Sequence, residues 1–217
     1  MSAFVTLTHN DAKDWSDITP QARIIPNMLH RYPAEISPDK KTQKRIITAG
    51  RLVEQKGYDL LLDAWSKVHQ KHPEWILDIY GEGEDKTMLL EKRKNLALEN
   101  SVLFHPPTLD IYQKYMDSDF YVMSSRFEGF GIPIIEALYS GIPVVAATGS
   151  CLEEAGGPDS IYVHPDDING MANAFKQIYS DTERKKEMIE KGQKFAKRFS
   201  EEKQAEEILN IYKKLMK

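Results

Sequence analysis

The sequence predicts an α/β fold: a Rossmann-like, doubly wound parallel sheet of about six strands with helices on both faces. Two observations carry this expectation. From Arg45 onward, short apolar runs alternate with helix-length amphipathic segments, and the alternation repeats. Successive strands are separated by helices of the length that βαβ units require, which argues for a parallel sheet. In such a sheet, ligands bind beyond the carboxyl ends of the strands. The loops after Ala49, Tyr80, Phe104, Met123 and Ala147 are therefore the places to look for chemistry.

The elements follow in order. RIITAG (45–50) reads as a buried strand, and Gly57 to His72 as a helix with Leu60, Leu61, Ala64, Trp65 and Val68 on one face, ended by Pro73. WILDIYG (75–81) is the second strand, and Asp85 to Leu98 a charged helix. SVLFH (101–105) is the third strand, stopped by Pro106 and Pro107. A short helix from Leu109 to Met116 leads into the strand DFYVMSS (119–125). A helix then precedes IPVVAA (142–147). IYVH (161–164) is the last strand, and the chain beyond Ile168 reads as helical. Residues 1–40 hold only the apolar run AFVTL and a short strand at Arg23–Pro26, so they do not read as a self-contained domain. Ser200 is an N-cap for a final helix, Glu201 to Met216, whose apolar stripe needs a surface to cover.

Composition narrows the function classes. A chain of 217 residues with net charge −4 has no basic excess for a nucleic-acid binder. It has no run of about 18 apolar residues and no leader-like N-terminus. One cysteine, Cys151, permits no internal disulfide and fits a reducing cytoplasm. His69 and His72 lie three apart on an expected helix, but no carboxylate or cysteine spacing completes a metal site.

Three loops carry the candidate site. GRLVEQKG (50–57) sets Arg51 and Lys56 on a glycine-bounded loop before a helix, where two cations can hold a diphosphate or simply face water. GEGED (81–85) begins like a dinucleotide fingerprint but lacks the third glycine, and its carboxylates would repel a pyrophosphate; it reads as a tight turn near a sugar or base edge. EGFG (128–131) follows a strand and opens a helix. Gly129 and Gly131 let backbone N–H groups approach a ligand. Glu128 lies before the turn, and Glu136, one turn into the helix, can accept hydrogen bonds from adjacent ribose hydroxyls. That layout suits a nucleotide sugar; the plainer alternative is one surface and one buried glutamate.

GRLVEQKG together with SSRFEGFGIPIIEALYSGIPVVA resembles the donor-binding half of family-4 retaining glycosyltransferases of the GT-B fold, and IIPN (24–27) resembles the signature at that fold's domain junction. The resemblance implies one half of a GT-B enzyme. Residues 1–40 would be a remnant of the N-terminal domain and linker, 41–199 the nucleotide-sugar-binding domain, and 200–217 a helix packing toward the N-terminal domain. By position it implies Glu136 on the ribose and Arg51 and Lys56 on the diphosphate. Backbone N–H groups around Phe130, Gly131 and Ile132 would hold the distal phosphate or sugar, and Glu128 would be the catalytic carboxylate facing the transferred sugar. It implies transfer from a nucleoside-diphosphate sugar, with no metal or other cofactor, to an acceptor sugar or lipid-linked glycan. The setting would be polysaccharide or glycoconjugate synthesis in the cytoplasm, with peripheral attachment at the inner face of the membrane as a variant. A non-catalytic nucleotide-sugar-binding module, and a related GT-B phosphorylase or epimerase, are the alternatives. The chain departs from the family's pattern at the base loop, FHPPT (104–108). It departs again after the fifth strand, where Glu153 and Glu154 both stand as candidates for the family's glutamate, and at FSEE (199–202).

Overall fold

A computed structural model of the protein describes residues 3–19, 21–30, 44–149 and 151–216. The chain begins with β1 (Val5–Thr6), α1 (His9–Asp14) and β2 (Arg23–Ile24), in which β1 and β2 pair in parallel as a separate two-stranded sheet. The strand expected at Arg23–Pro26 stops after two residues; Pro26 has no N–H to give to a ladder. Residues 31–43, including the end of the expected linker, lie outside the described residues.

The main unit runs β3 (Arg45–Ala49), α2 (Tyr58–His69), β4 (Ile76–Tyr80), α3 (Lys86–Asn95), β5 (Val102–His105), α4 (Ile111–Met116), β6 (Phe120–Met123), α5 (Ile132–Tyr139), β7 (Val144–Ala147), α6 (Leu152–Gly156), β8 (Ile161–Val163), α7 (Ile168–Ser180), α8 (Thr182–Ala196) and α9 (Glu201–Leu215). Six strands form one sheet in the order β5-β4-β3-β6-β7-β8, and every pairing is parallel. The expected six-stranded α/β sheet is therefore present.

Alternate strand residues serve the two faces. Ile46, Leu77, Ile79, Phe120, Val122 and Val145 pack with Leu61, Trp65 and Phe175 of α2 and α7. Ile47, Tyr121, Met123, Val144 and Ala146 pack with Tyr115 of α4 and with Ile134, Ile135 and Leu138 of α5. Both faces are covered, which explains why β6 and β7 are buried at every position.

The expected elements differ from the observed ones mainly at their ends. α3 stops at Asn95 because Ala97 takes a left-handed φ of 53°. α2 stops at His69, so His72 falls beyond it, its ring edge-on to Tyr179 at 4.6 Å. Among the described residues no three His, Cys, Asp or Glu side chains cluster as metal ligands. α9 is capped by the Ser200 hydroxyl, which accepts from the Lys203 N–H, and its Ile208, Leu209 and Tyr212 remain exposed. No helix among the described residues is long and apolar enough to cross a membrane.

The strand order reverses between β3 and β6. Successive strands step outward from β3 to β5 on one side and from β6 to β8 on the other. The crevice above that reversal is the place where an open α/β sheet receives a ligand. The loops bounding it are those after β3 and after β6.

Candidate functional site

Glycines stitch the loops at the crevice together. Gly57 takes φ 63°, and a Cβ there would lie 2.2 Å from the Ser124 carbonyl oxygen. Only glycine lets the end of the first loop rest against the end of β6. Hydrogen bonds then lace the two: Ser124 Oγ donates to Lys56 O at 2.9 Å, Gln55 Nε2 to Phe127 O at 2.8 Å, and Arg126 N to Gln55 O at 2.8 Å. The lacing brings Lys56 Nζ onto Glu128 Oε1 as an ion pair whose side chains are only 14% and 9% exposed. Ser125 Oγ donates to the same carboxylate oxygen at 2.7 Å. Cys151 Sγ donates to the Glu128 carbonyl oxygen at 3.1 Å and fixes the backbone there.

The turn that follows is built for close approach. Nothing lies within 4 Å of a Cβ placed on Gly129, which faces open space. Gly131 takes φ 93° and caps α5, with Pro133 in the first helical turn. The first N–H groups of a helix have no i−4 partner; at the start of α5 Pro133 has none to give and the Ile134 N–H donates to Gly131 O at 3.0 Å. Phe130 is buried, its ring edge-on to Phe199 at 5.8 Å, while Ile132 is partly exposed at the helix start.

Glu136 stands on the fifth position of α5, where the Tyr115 hydroxyl donates to its Oε2 at 3.2 Å. Burial raises its carboxyl above the usual carboxylate range, and the Tyr115 hydrogen bond offsets only part of that. Tyr115 itself is pushed well above the usual phenol range, first by burial and then by the Glu136 charge. A half-buried carboxylate with one internal partner keeps lone pairs for a ligand.

Arg51 is exposed on the first loop and takes part in none of the ion pairs among the described residues. A second cation, Arg126, lies at the same rim. It is committed to Asp59 through two bonds of 2.8 and 2.7 Å and to the Glu54 carbonyl oxygen at 2.7 Å. Its hydrogen bond holds the Asp59 carboxyl below the usual range. Arg126 thus anchors the loop rather than offering free charge.

The GEGED loop has a different job from the one its glycines suggest. A Cβ on Gly81 would meet the Gly50 carbonyl oxygen at 1.9 Å, and one on Gly83 the Leu52 carbonyl oxygen at 2.2 Å. Leu52 N donates to Glu82 O at 2.9 Å and Asp85 N to Leu52 O at 3.0 Å. These glycines let two protein loops touch and so hold the loop of Arg51 in place. In the FHPPT loop (104–108), His105 is fixed by Asp78, at 2.7 Å, and by the Tyr80 ring, stacked at 4.5 Å, while Pro106 and Pro107 are exposed.

The structure therefore brings Lys56, Glu128, the glycine turn and Glu136 to one crevice, with Arg51 at its edge. Glu153 and Glu154 are also told apart. Glu153 is exposed, whereas the Glu154 carboxylate accepts from the backbone N–H groups of His9 and Asn10. Sequence reading missed Ser125, Tyr115 and the direct Lys56–Glu128 contact. Only the three-residue spacing of Ser125 and Glu128 hinted at the first; Tyr115 comes from another helix, and nothing local pointed to it.

Known proteins carry the same arrangement of segments. An uncharacterized glycosyltransferase of Haemophilus influenzae is 36% identical over 146 residues, covering 65% of this chain and 40% of its own length. The amylovoran biosynthesis glycosyltransferase AmsD of Erwinia amylovora is 40% identical over 120 residues, covering 55% of this chain and 33% of its own. The chain thus matches less than half of the length of either relative. Among solved structures, Anabaena HepE in complex with UDP and glucose superposes with a TM-score of 0.85 at 20% identity, over 98% of this chain and 63% of that one. The pneumococcal O-GlcNAc transferase GtfA in complex with UDP and GlcNAc gives 0.84 at 21%, over 98% and 45%. At such identities the likeness speaks for the fold. The family of group 1 glycosyl transferases matches residues 34–195, which include every loop of the crevice. The chain belongs to the group 1 glycosyl transferases.

Proposed function

We propose that this chain is the donor-binding half of a glycosyltransferase and takes a nucleoside-diphosphate sugar. The observation that carries the reading is the convergence of Lys56, Glu128 and Glu136 on one glycine turn at the reversal of strand order. Glu136 accepts from the ribose hydroxyls. Lys56 and Arg51, with the N–H groups around Phe130, Gly131 and Ile132, hold the diphosphate. Glu128 faces the sugar.

These roles divide the chemistry sensibly. In transfer, the bond from the anomeric carbon to the diphosphate oxygen breaks, and the departing diphosphate gains negative charge. The acceptor hydroxyl forms the new bond and gives up its proton to an oxygen of the departing diphosphate. Two cations and a helix N-terminus opposite the departing oxygen stabilise that charge, and on this reading no metal ion is required. The setting we favour is polysaccharide or glycoconjugate assembly, with an acceptor sugar or lipid-linked glycan; the relative named for amylovoran biosynthesis supports it.

The acceptor wall belongs to a further domain, with the β1-α1-β2 segment as its edge and α9 packing toward it. Exposed Phe4, Trp15 and Ile18 on the segment, and Ile208, Leu209 and Tyr212 on α9, supply the apolar surface for that packing. The test is radiolabelled-sugar transfer by the 217-residue chain with and without an upstream acceptor domain. Nucleotide binding by the chain alone, and transfer only with the added domain, are expected. Binding without transfer in both cases would favour a non-catalytic nucleotide-sugar module. Robust transfer by the chain alone would mean that the catalytic centre has been misplaced.

A further inference from the structure

We propose that Glu154 is a positioning residue: its carboxylate clasps the N-terminal β1-α1-β2 segment to the donor-binding sheet and thereby sets the segment against the glycine turn. This assignment of the segment as a wall of the site rests on the donor-binding reading above.

The clasp is a two-point contact. His9 N donates to Glu154 Oε2 at 2.7 Å, and Asn10 N donates to Oε1 at 3.1 Å. The two residues open α1, where backbone N–H groups lack intrahelical partners. The third N–H, that of Asp11, is taken by the Thr8 hydroxyl at 3.0 Å. Two of the three opening donors of α1 are thus answered from 144 and 145 positions away. An ionised carboxylate can answer both at once, and bonds to a charged acceptor are the stronger kind.

Glu154 is placed to do this by α6, and α6 also touches the donor turn. Leu152 Cδ2 would be 2.9 Å from a Cβ on Gly131, and Cys151 just before the helix donates to the Glu128 carbonyl oxygen. One short helix therefore holds the turn on one side and the N-terminal segment on the other. Between them lies a cleft of about 810 Å³, with Leu7 and Ile24 on the segment's wall, Phe130 and Phe199 on the opposite wall, and Glu154 on its lining. The other hydrogen-bonded ties, Leu29 N to Phe199 O at 2.8 Å, the Tyr112 hydroxyl to His30 O at 3.3 Å and His30 Nδ1 to Glu201 Oε1 at 2.9 Å, lie after β2, whereas Glu154 holds the start of α1 itself.

Residue-resolved amide exchange by NMR, on the 217-residue chain with Glu154→Ala, Glu154→Gln and Glu153→Gln, tests the clasp. Exchange at His9 and Asn10 should quicken about tenfold or more in Glu154→Ala. It should quicken by less in Glu154→Gln, whose amide oxygen keeps one acceptor, and stay unchanged in Glu153→Gln. Amides of β3 and β6 should keep their protection throughout, which separates loss of the clasp from general loosening. Unchanged exchange at both amides in Glu154→Gln and Glu154→Ala would overturn the proposal, as would equal loss in all strands. If Glu154→Ala does not fold, the graded comparison of Glu154→Gln with Glu153→Gln still decides. A parallel titration with UDP separates the two claims: absence of UDP binding by the unmodified chain counts against the donor-binding reading, while the exchange data alone judge the clasp.

Discussion

Lys56 and Glu128 neutralise each other across the crevice, each largely out of water. On the donor-binding reading, the cation proposed for the diphosphate is thus already paired with the carboxylate proposed to face the sugar. A diphosphate entering the site competes with Glu128 for Lys56. Replacing Glu128 by Gln removes the competitor and leaves a partly buried ammonium without a countercharge, a costly state that an anion relieves. Glu128→Gln should therefore bind UDP more tightly, by about tenfold or ~1.4 kcal/mol, while the free protein melts at a lower temperature. Calorimetry and thermal melts check both, and weaker UDP binding by Glu128→Gln would show that the pair does not compete.

Glu136 should reveal a conflict between stability and binding. Its carboxyl is raised in the folded protein, chiefly by burial. The folded state therefore holds its proton to higher pH than the unfolded chain does. The stabilisation this gives is complete below the ordinary glutamate value and is lost as pH rises through the raised one. At pH 7 the buried charge is a net cost. Glu136→Gln should then raise the melting temperature at pH 7 and leave it unchanged near pH 4.

The same carboxylate should matter to the nucleotide in the opposite sense. Glu136→Ala should weaken UDP binding by roughly ten- to a hundredfold, the worth of hydrogen bonds to a charged acceptor. The unmodified protein should likewise lose affinity as acid protonates Glu136, from a higher pH than a solvated glutamate would require. An unchanged dissociation constant in Glu136→Ala would remove the ribose assignment.

Two glycines separate folding from binding. Gly57→Ala forces a side chain into a left-handed φ and onto the Ser124 carbonyl. It should cost about 1–3 kcal/mol or more and lower the melting temperature by several degrees. Gly129→Ala meets no neighbour within 4 Å, so its melting temperature should stay within a degree or two. On the donor-binding reading it should nevertheless weaken UDP-sugar binding, because the added methyl enters the open space at the turn proposed to hold the donor. A Gly129→Ala protein with full affinity would place the ligand away from the turn.

The sheet was legible because its strands are buried on both faces and its helices carry one-sided stripes, both of which are local patterns. The positions of Arg51, Lys56 and Glu128 at strand ends were legible for the same reason: each sits beside a glycine that breaks the pattern, and Glu136 lies one turn into the helix that the Gly129–Gly131 turn opens. The partners were not. Lys56 meets Glu128 across 72 positions, and Tyr115 reaches Glu136 from another helix. Gly81 and Gly83 begin like a dinucleotide fingerprint because a close approach to backbone leaves the same mark in sequence whether the partner is a loop or a phosphate; the missing third glycine and the neighbouring carboxylates marked them as a turn. Residues 1–30 gave a weak signal because β1 and β2 are two residues each, too short for a periodicity.

The most direct test of the account compares UDP with uridine by calorimetry on the unmodified chain in chelator, at low and moderate salt. If Lys56, Arg51 and the N–H groups of the turn grip a diphosphate without a metal, UDP should bind at least about tenfold more tightly than uridine. Added salt should narrow that gap by weakening UDP alone. Equal affinity for UDP and uridine, or a gap indifferent to salt, would contradict the donor-binding assignment of the crevice.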